Sequence, residues 1–216
     1  MNSMGRTGAR VKGQRSYDAA RRRARARERH EATLRVAGET FLRLGYAATT
    51  VDAIAEAAGV SAATIYKTYG GKAGLVRTLC ERGLAGEGGA PAEERSDALR
   101  ALEDPRRIIE GWGELVTEVA PRVAPLLLVL REAGADPDAA ALQKSLEAAR
   151  LARMDDNAGH LARAGHLREG VTREAARDVL WFCTAPEVYD LLINQRGWTT
   201  EAFSRFVVQV MEGALL

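Results

Sequence analysis

From His30 onward, apolar residues recur at helical spacing. Leu34, Ala37, Phe41 and Leu44 fall on one face and Gly45 ends the run, which predicts a first helix. Thr49 and Thr50 then offer an N-cap to a short helix carrying Val51, Ile54, Ala55 and Ala58 on one side and closed by Gly59. Ser61 caps the next short helix, Ala62 to Tyr69, which stops at Gly70-Gly71. Lys72 opens a fourth, with Leu75, Val76 and Leu79 inward. Two short helices joined through Ala58-Gly59-Val60-Ser61 form a helix-turn-helix, in which Gly59 permits the positive-φ turn and Val60 fills the space between the helices.

The pattern changes between residues 83 and 97, where Gly, Pro, small and charged residues mark a boundary. Beyond it the period is helical throughout. Asp104-Pro105 starts a helix with Ile108, Ile109, Trp112, Leu115, Val116 and Val119 apolar. Leu126 to Leu130 is apolar on every side, and its flanks favour a further buried helix over a buried strand. Asp136-Pro137 opens a long Ala-rich helix to about Ala164. Thr172 caps another with Val179, Leu180 and Cys183, which Pro186 kinks or breaks before Val188, Leu191 and Leu192. Thr199 or Thr200 caps the last, with Phe203, Phe206, Val207, Val210, Met211 and Ala214 in one stripe. No convincing strand or repeat appears, so the expected fold is all-α: a basic arm over residues 1–27, a helix-turn-helix domain over 28–82 and a helical domain over 83–216.

Charge sharpens this division. Residues 1–80 carry 15 Lys/Arg against 6 Asp/Glu, and residues 81–216 carry 16 against 23. A polyanion is therefore expected to meet the N-terminal part only. Residues 1–16 have too few apolar anchors to offset the entropy of ordering and read as a disordered arm, and the Ala/Arg-rich residues 17–30 read as a helical extension once something docks nearby. The run Arg21-Arg22-Arg23, Arg25, Arg27 and Arg29 is either a solvated charge run or an arm that tracks the DNA minor groove or backbone.

Other chemistry finds little support. Cys80 and Cys183 stand far apart with no second Cys nearby, and His30, His160 and His166 lack the spacing of a helical metal pair, so no disulfide framework, metal or cofactor is expected. The chain has no P-loop, Gly-x-Ser-x-Gly or dinucleotide fingerprint. It has no apolar run long enough to span a bilayer and no signal-like stretch in its first 30 residues, which predicts a cytoplasmic protein without membrane association.

The string from Gly45-Tyr46 through Thr49-Thr50-Val51-Asp52-Ala53-Ile54-Ala55 to Gly59-Val60-Ser61, followed by Thr64-Ile65-Tyr66, Tyr69, Lys72 and Leu75, resembles the N-terminal domain of the TetR family of transcriptional regulators. The stretch from Trp181 to Trp198 resembles a C-terminal pattern of many members. In such proteins the helix of residues 62–69 enters the major groove, which implies Thr64 and Lys67 as base readers, with Ser61 and Ala62 at its leading end. Thr50, Tyr66, Tyr69 and Lys72 correspond to the family's phosphate contacts. Ala63, Thr68, Gly71 and Gly74 depart from the usual pattern, and the last two weaken the start of the fourth helix.

The resemblance also implies a homodimer joined through its last two helices, a palindromic double-stranded operator, and a small effector in the C-terminal helices. The expected effector site is largely apolar: Trp112, Leu115, Val116, Val119, Leu127, Leu130, Met154 and Trp181, with Asn157 as the orienting polar group. The expected function is thus a ligand-responsive, sequence-specific DNA-binding regulator, a repressor and not an enzyme. Two rivals stand beside it: a helical enzyme using His160, Asp155 or Glu187, and a DNA-packaging protein using the basic arm alone.

Overall fold

A computed structural model of the protein describes residues 7–86 and 89–216. The described residues form helices and connecting turns, with no strand among them. Helix α1 spans Thr7–Ala48, α2 Val51–Ala58, α3 Ala62–Tyr69, α4 Lys72–Ala85, α5 Ala92–Leu99, α6 Pro105–Glu132, α7 Pro137–Arg163, α8 Arg173–Cys183, α9 Pro186–Tyr189 and α10 Thr200–Leu215. Helix α9 runs on as one π-helical stretch over Asp190–Gln195. No described helix is long and apolar enough to cross a membrane.

The expected caps close where the side chains allow. Thr50, Ser61, Thr172 and Thr199 each accept a backbone N–H three residues on; Asp104 caps α6 through the N–H of Arg106, and Asp136 caps α7 through those of Asp138 and Ala139. Thr49 instead turns back, donating to the Gly45 carbonyl at 2.7 Å.

Four features differ from the sequence-based expectation. The backbone is already helical from Thr7, while residues 1–6 of the expected arm lie outside the described residues. Once the buried part of α1 pays for nucleation, good helix formers such as Ala and Arg extend it at little cost. Leu44 is exposed, because Gly45 at φ +77 ends the regular turn and hands the inward position to Tyr46. Helix α5 stands inside the stretch read as a boundary: its sequence, AEERSDAL, has no apolar stripe, although Glu93 and Glu94 in its first turn suit a helix N-terminus. Finally, the two helices expected on either side of Pro121 and Pro125 are one, α6. Each internal proline costs on the order of 3 kcal/mol, and burial of Val123 between them and of Leu126 and Leu130 beyond offsets that.

Two hydrophobic cores result, and the chain boundary near residue 83 does not separate them. The first gathers Leu34, Phe41, Ile54, Ile65, Leu75 and Val76 from α1 to α4 together with Val123, Leu126 and Leu130 of α6 and Ala139 and Leu142 of α7. The second joins Ile108, Ile109 and Trp112 of α6 and Ala158 and Leu161 of α7 to α8, α9 and α10. Helices α6 and α7 therefore run through both.

Glycines let the other helices approach α6 closely. A Cβ on Gly83 of α4 would lie 2.6 Å from Val123 Cγ2, one on Gly111 2.5 Å from Leu99 of α5, and one on Gly113 2.4 Å from Val208 of α10. At the first crossing, Arg122 Nε also donates to the Gly83 carbonyl at 2.9 Å. Gly83→Ala is expected to destabilise the protein by about 1 to 3 kcal/mol through overpacking, and Val123→Ala in the same chain to recover part of that loss. Urea unfolding of the two single variants and the double variant measures both.

Candidate nucleic-acid interface

The helix-turn-helix rests on few, well-buried anchors. Helix α2 seats Val51, Ile54 and Ala55, and Gly59 takes φ +66 so that its N–H returns to the Glu56 carbonyl and the chain turns into α3. Val60, expected between the helices, is half-buried against the first core. Helix α3 buries Ile65 alone. Ala63, Thr64, Tyr66, Lys67 and Thr68 are exposed, so this eight-residue helix is mostly a presenting surface.

The structure brings most of the expected DNA contacts onto that surface, though not all as free groups. Tyr66 is 58% exposed, and Lys67 is open to solvent. The Ser61 hydroxyl accepts from the Thr64 N–H at 3.1 Å and lies 2.8 Å from the Thr64 hydroxyl, so the cap and the first base reader share one hydrogen-bonded unit; Ala62 beside them is half-buried. The Thr50 hydroxyl is taken by its cap bond from Ala53 at 3.1 Å.

Lys72 is committed elsewhere. Its Nζ donates to the Tyr46 carbonyl at 3.1 Å and sits 4.3 Å from the Tyr46 ring centroid, tying α4 to the end of α1. The Tyr46 phenol is pushed up to about 12, first by burial and then by Asp136 and Asp138. Helix α4 begins at Gly71 with φ +120 and no side-chain cap, as its lack of a Ser or Asn there implies.

Between α1 and the helix-turn-helix lies a cleft of about 610 Å³, lined among others by Arg29, His30, Thr33, Ser61, Thr64 and Tyr69. Tyr69 points across it, its hydroxyl 2.7 Å from His30 Nδ1. His30 and Thr68 were not among the expected contacts. A signal is present for His30: at helical spacing Ala26 and His30 extend the row of the buried Thr33 and Ala37 into the exposed part of α1. Arg21, Arg22, Arg23, Arg25, Arg27 and Arg29 are exposed along the same helix.

The nine residues expected around an effector do not converge. Trp112, Leu115, Val116 and Met154 belong to the second core, whereas Val119, Leu127 and Leu130 pack with the first, because α6 continues through both. Trp181 faces outward, 38% exposed, under the Arg150 guanidinium at 4.7 Å. Asn157 is buried and engaged with α5: its Oδ1 accepts from Arg100 at 2.6 Å and its Nδ2 donates to Ser96 Oγ at 3.3 Å. Trp112 Nε1 donates to the Ser96 carbonyl at 3.3 Å. Helix α5 thus occupies the polar end of the expected site.

Residues 34–79 match the model of the bacterial regulatory proteins of the tetR family. No curated protein matches the chain. Among solved structures, NalD of Pseudomonas aeruginosa, the secondary repressor of the MexAB-OprM multidrug efflux pump, is similar at 21% identity. The match covers 90% of this chain and 98% of NalD with a TM-score of 0.70. FadR of Bacillus subtilis, a transcriptional regulator solved in complex with stearoyl-CoA, is similar at 17% identity over 87% of this chain and 100% of that one, TM-score 0.65. A TetR-family regulator from Syntrophomonas wolfei is similar at 19% identity over 87% and 94%, TM-score 0.64. Residues 34–79 thus form a helix-turn-helix domain of the kind found in the tetR family of bacterial regulatory proteins, carried on an all-α fold that these solved structures share.

Proposed function

We propose that the protein is a homodimeric, sequence-specific DNA-binding regulator, a repressor that a small and largely apolar effector releases from a palindromic operator. The observation that carries this reading is α3, which spends one buried residue, Ile65, on holding Thr64, Tyr66, Lys67 and Thr68 outward in the basic part of the chain. Thr64 and Lys67 read base edges, with Ser61 and Ala62 leading the helix into the groove. Thr50, Tyr66, Tyr69 and Lys72 meet the phosphates. Lys72 acts there as a point charge near the backbone while it holds Tyr46. The enzyme reading loses two of its groups to ion pairs, Asp155 to Arg173 and Glu187 to Arg131.

Sequence reading by α3 is tested by selecting duplexes from a random pool and footprinting the protein on the region upstream of its own coding sequence. A defined, two-fold symmetric site is expected, and Lys67→Ala is expected to change the preferred bases at one position in each half-site. Uniform protection without sequence preference would overturn the reading in favour of non-specific packaging.

The dimer is assigned to the outward faces of α8 and α10, which pack on each other. Phe203, Val207, Met211 and Leu215 form the inward row of α10, so Val207 is part of the subunit's own core. Phe206 and Val210 lie half-exposed beside it, and Phe182 on α8 is 49% exposed. Phe182→Glu with Val210→Glu is expected to give a folded monomer that no longer binds a full operator. A dimer persisting in light scattering would place the interface elsewhere.

Effector entry is assigned to the half-buried side chains Leu115, Val116 and Met154, with displacement of α5 from Trp112 and Asn157. The stearoyl-CoA held by the Bacillus subtilis neighbour supports an effector with a long apolar body. Movement there reaches α4 through α6 and the bond from Arg122 to Gly83, and a coupling of about 1 to 3 kcal/mol is the usual size for such a link. Thermal unfolding with stearoyl-CoA as the probe is expected to show a concentration-dependent rise in Tm that Met154→Ala reduces while DNA affinity is kept. Trp112→Ala, by contrast, is expected to cost about 3 to 5 kcal/mol of stability, because that indole is buried. No rise in Tm for the unaltered protein would exclude a long-chain acyl effector.

A further inference from the structure

Tyr69 crosses the cleft between α3 and α1, and its hydroxyl oxygen stands 2.7 Å from His30 Nδ1. The two rings stack, with centroids 5.5 Å apart and planes inclined by 22°. Burial, with the Glu31 carboxylate as a lesser cause, pushes the Tyr69 phenol above its usual range, so the hydroxyl keeps its proton and remains a donor. Thr33, Ser61, Thr64 and Arg29 line the same cleft.

A phenol has one proton to donate. When Nδ1 of the imidazole carries no hydrogen, it accepts that proton's hydrogen bond and leaves none for a phosphate oxygen. When Nδ1 carries hydrogen, the imidazole donates to the phenol oxygen, and the phenolic O–H is free to point elsewhere. A hydroxyl that accepts one hydrogen bond also donates a stronger one. Imidazole reaches either form by moving its hydrogen between the two ring nitrogens, so the residue facing Tyr69 governs whether Tyr69 can donate at all.

We propose that His30 is a positioning residue for DNA binding: from α1, with hydrogen on Nδ1, it holds the Tyr69 oxygen and turns the hydroxyl proton toward a backbone phosphate. This rests on the reading of Tyr69 as a phosphate contact and adds a residue outside the helix-turn-helix to it. His30 need not touch the DNA. Its requirement is a donor at the Nδ1 position, which an asparagine amide also supplies and a leucine does not.

The test uses the full-length protein and a fluorescent duplex of about 30 base pairs of mixed sequence at low salt, since a phosphate contact acts on any sequence. Tyr69→Phe is expected to weaken binding about 10-fold, in line with loss of a hydrogen bond to a charged group, and His30→Leu about 5-fold. Together they should bind within about 2-fold of Tyr69→Phe alone, because His30 acts through Tyr69. His30→Asn should stay within about 2-fold of the unaltered protein. His30 is exposed, and an unchanged Tm for each variant confirms that the fold is kept.

Additive losses in the double variant, no loss in His30→Leu, or a His30→Asn as weak as His30→Leu would each overturn the role of His30 while leaving Tyr69 as a contact. An unchanged affinity for Tyr69→Phe would overturn the Tyr69 reading itself, and this inference with it.

Discussion

Everything in the molecule hangs on the passage of α6 and α7 through two cores. Neither end can be packed without them: Leu130 and Leu142 close the core beneath the helix-turn-helix, while Trp112 and Leu161 stand in the core of the C-terminal helices. The cores are joined by continuous helix rather than by a linker. The three glycine crossings on this helix leave little slack, since interiors packed at this density deform by discrete rearrangement rather than by gradual give.

The candidate DNA surface is built on the opposite principle. Helix α3 contributes one fully buried side chain and takes its direction from its caps and from the turn at Gly59. Its exposed side chains are under little packing constraint, which is why a helix of eight residues can carry several polar groups outward. Its neighbours are held by polar ties: Lys72 to the Tyr46 carbonyl and Tyr69 to His30. Such ties are individually modest, but they set direction, and direction is what a backbone contact needs.

Local signals wrote most of the fold into the sequence. Capping residues, the Gly59 turn and the period of Leu34, Ala37 and Phe41 depend on neighbours a few positions away, and so do the starts of α6 and α7 at Asp104 and Asp136. What escaped depends on distant partners. Helix α5 carries no stripe because it is held by Arg95 to Glu118, Arg153 to Asp97 and Ser96 to Asn157. The continuity of α6 through Pro121 and Pro125 reflects burial that a proline rule does not weigh. The candidate DNA contacts fall close together, since Ser61 to Tyr69 belong to one short helix and its cap, with Thr50 and Lys72 on the helices to either side. The nine candidate effector residues are spread out, because their placement turned on whether α6 was one helix or two, and that difference puts Val119, Leu127 and Leu130 with the other core.

The order in which the chain leaves the ribosome gives the shared helices a further meaning. The helix-turn-helix emerges early, but its core lacks Val123, Leu126, Leu130 and Leu142 until α6 and the first turns of α7 have followed. A nascent chain therefore holds α3 on an unfinished base until Leu142 has emerged.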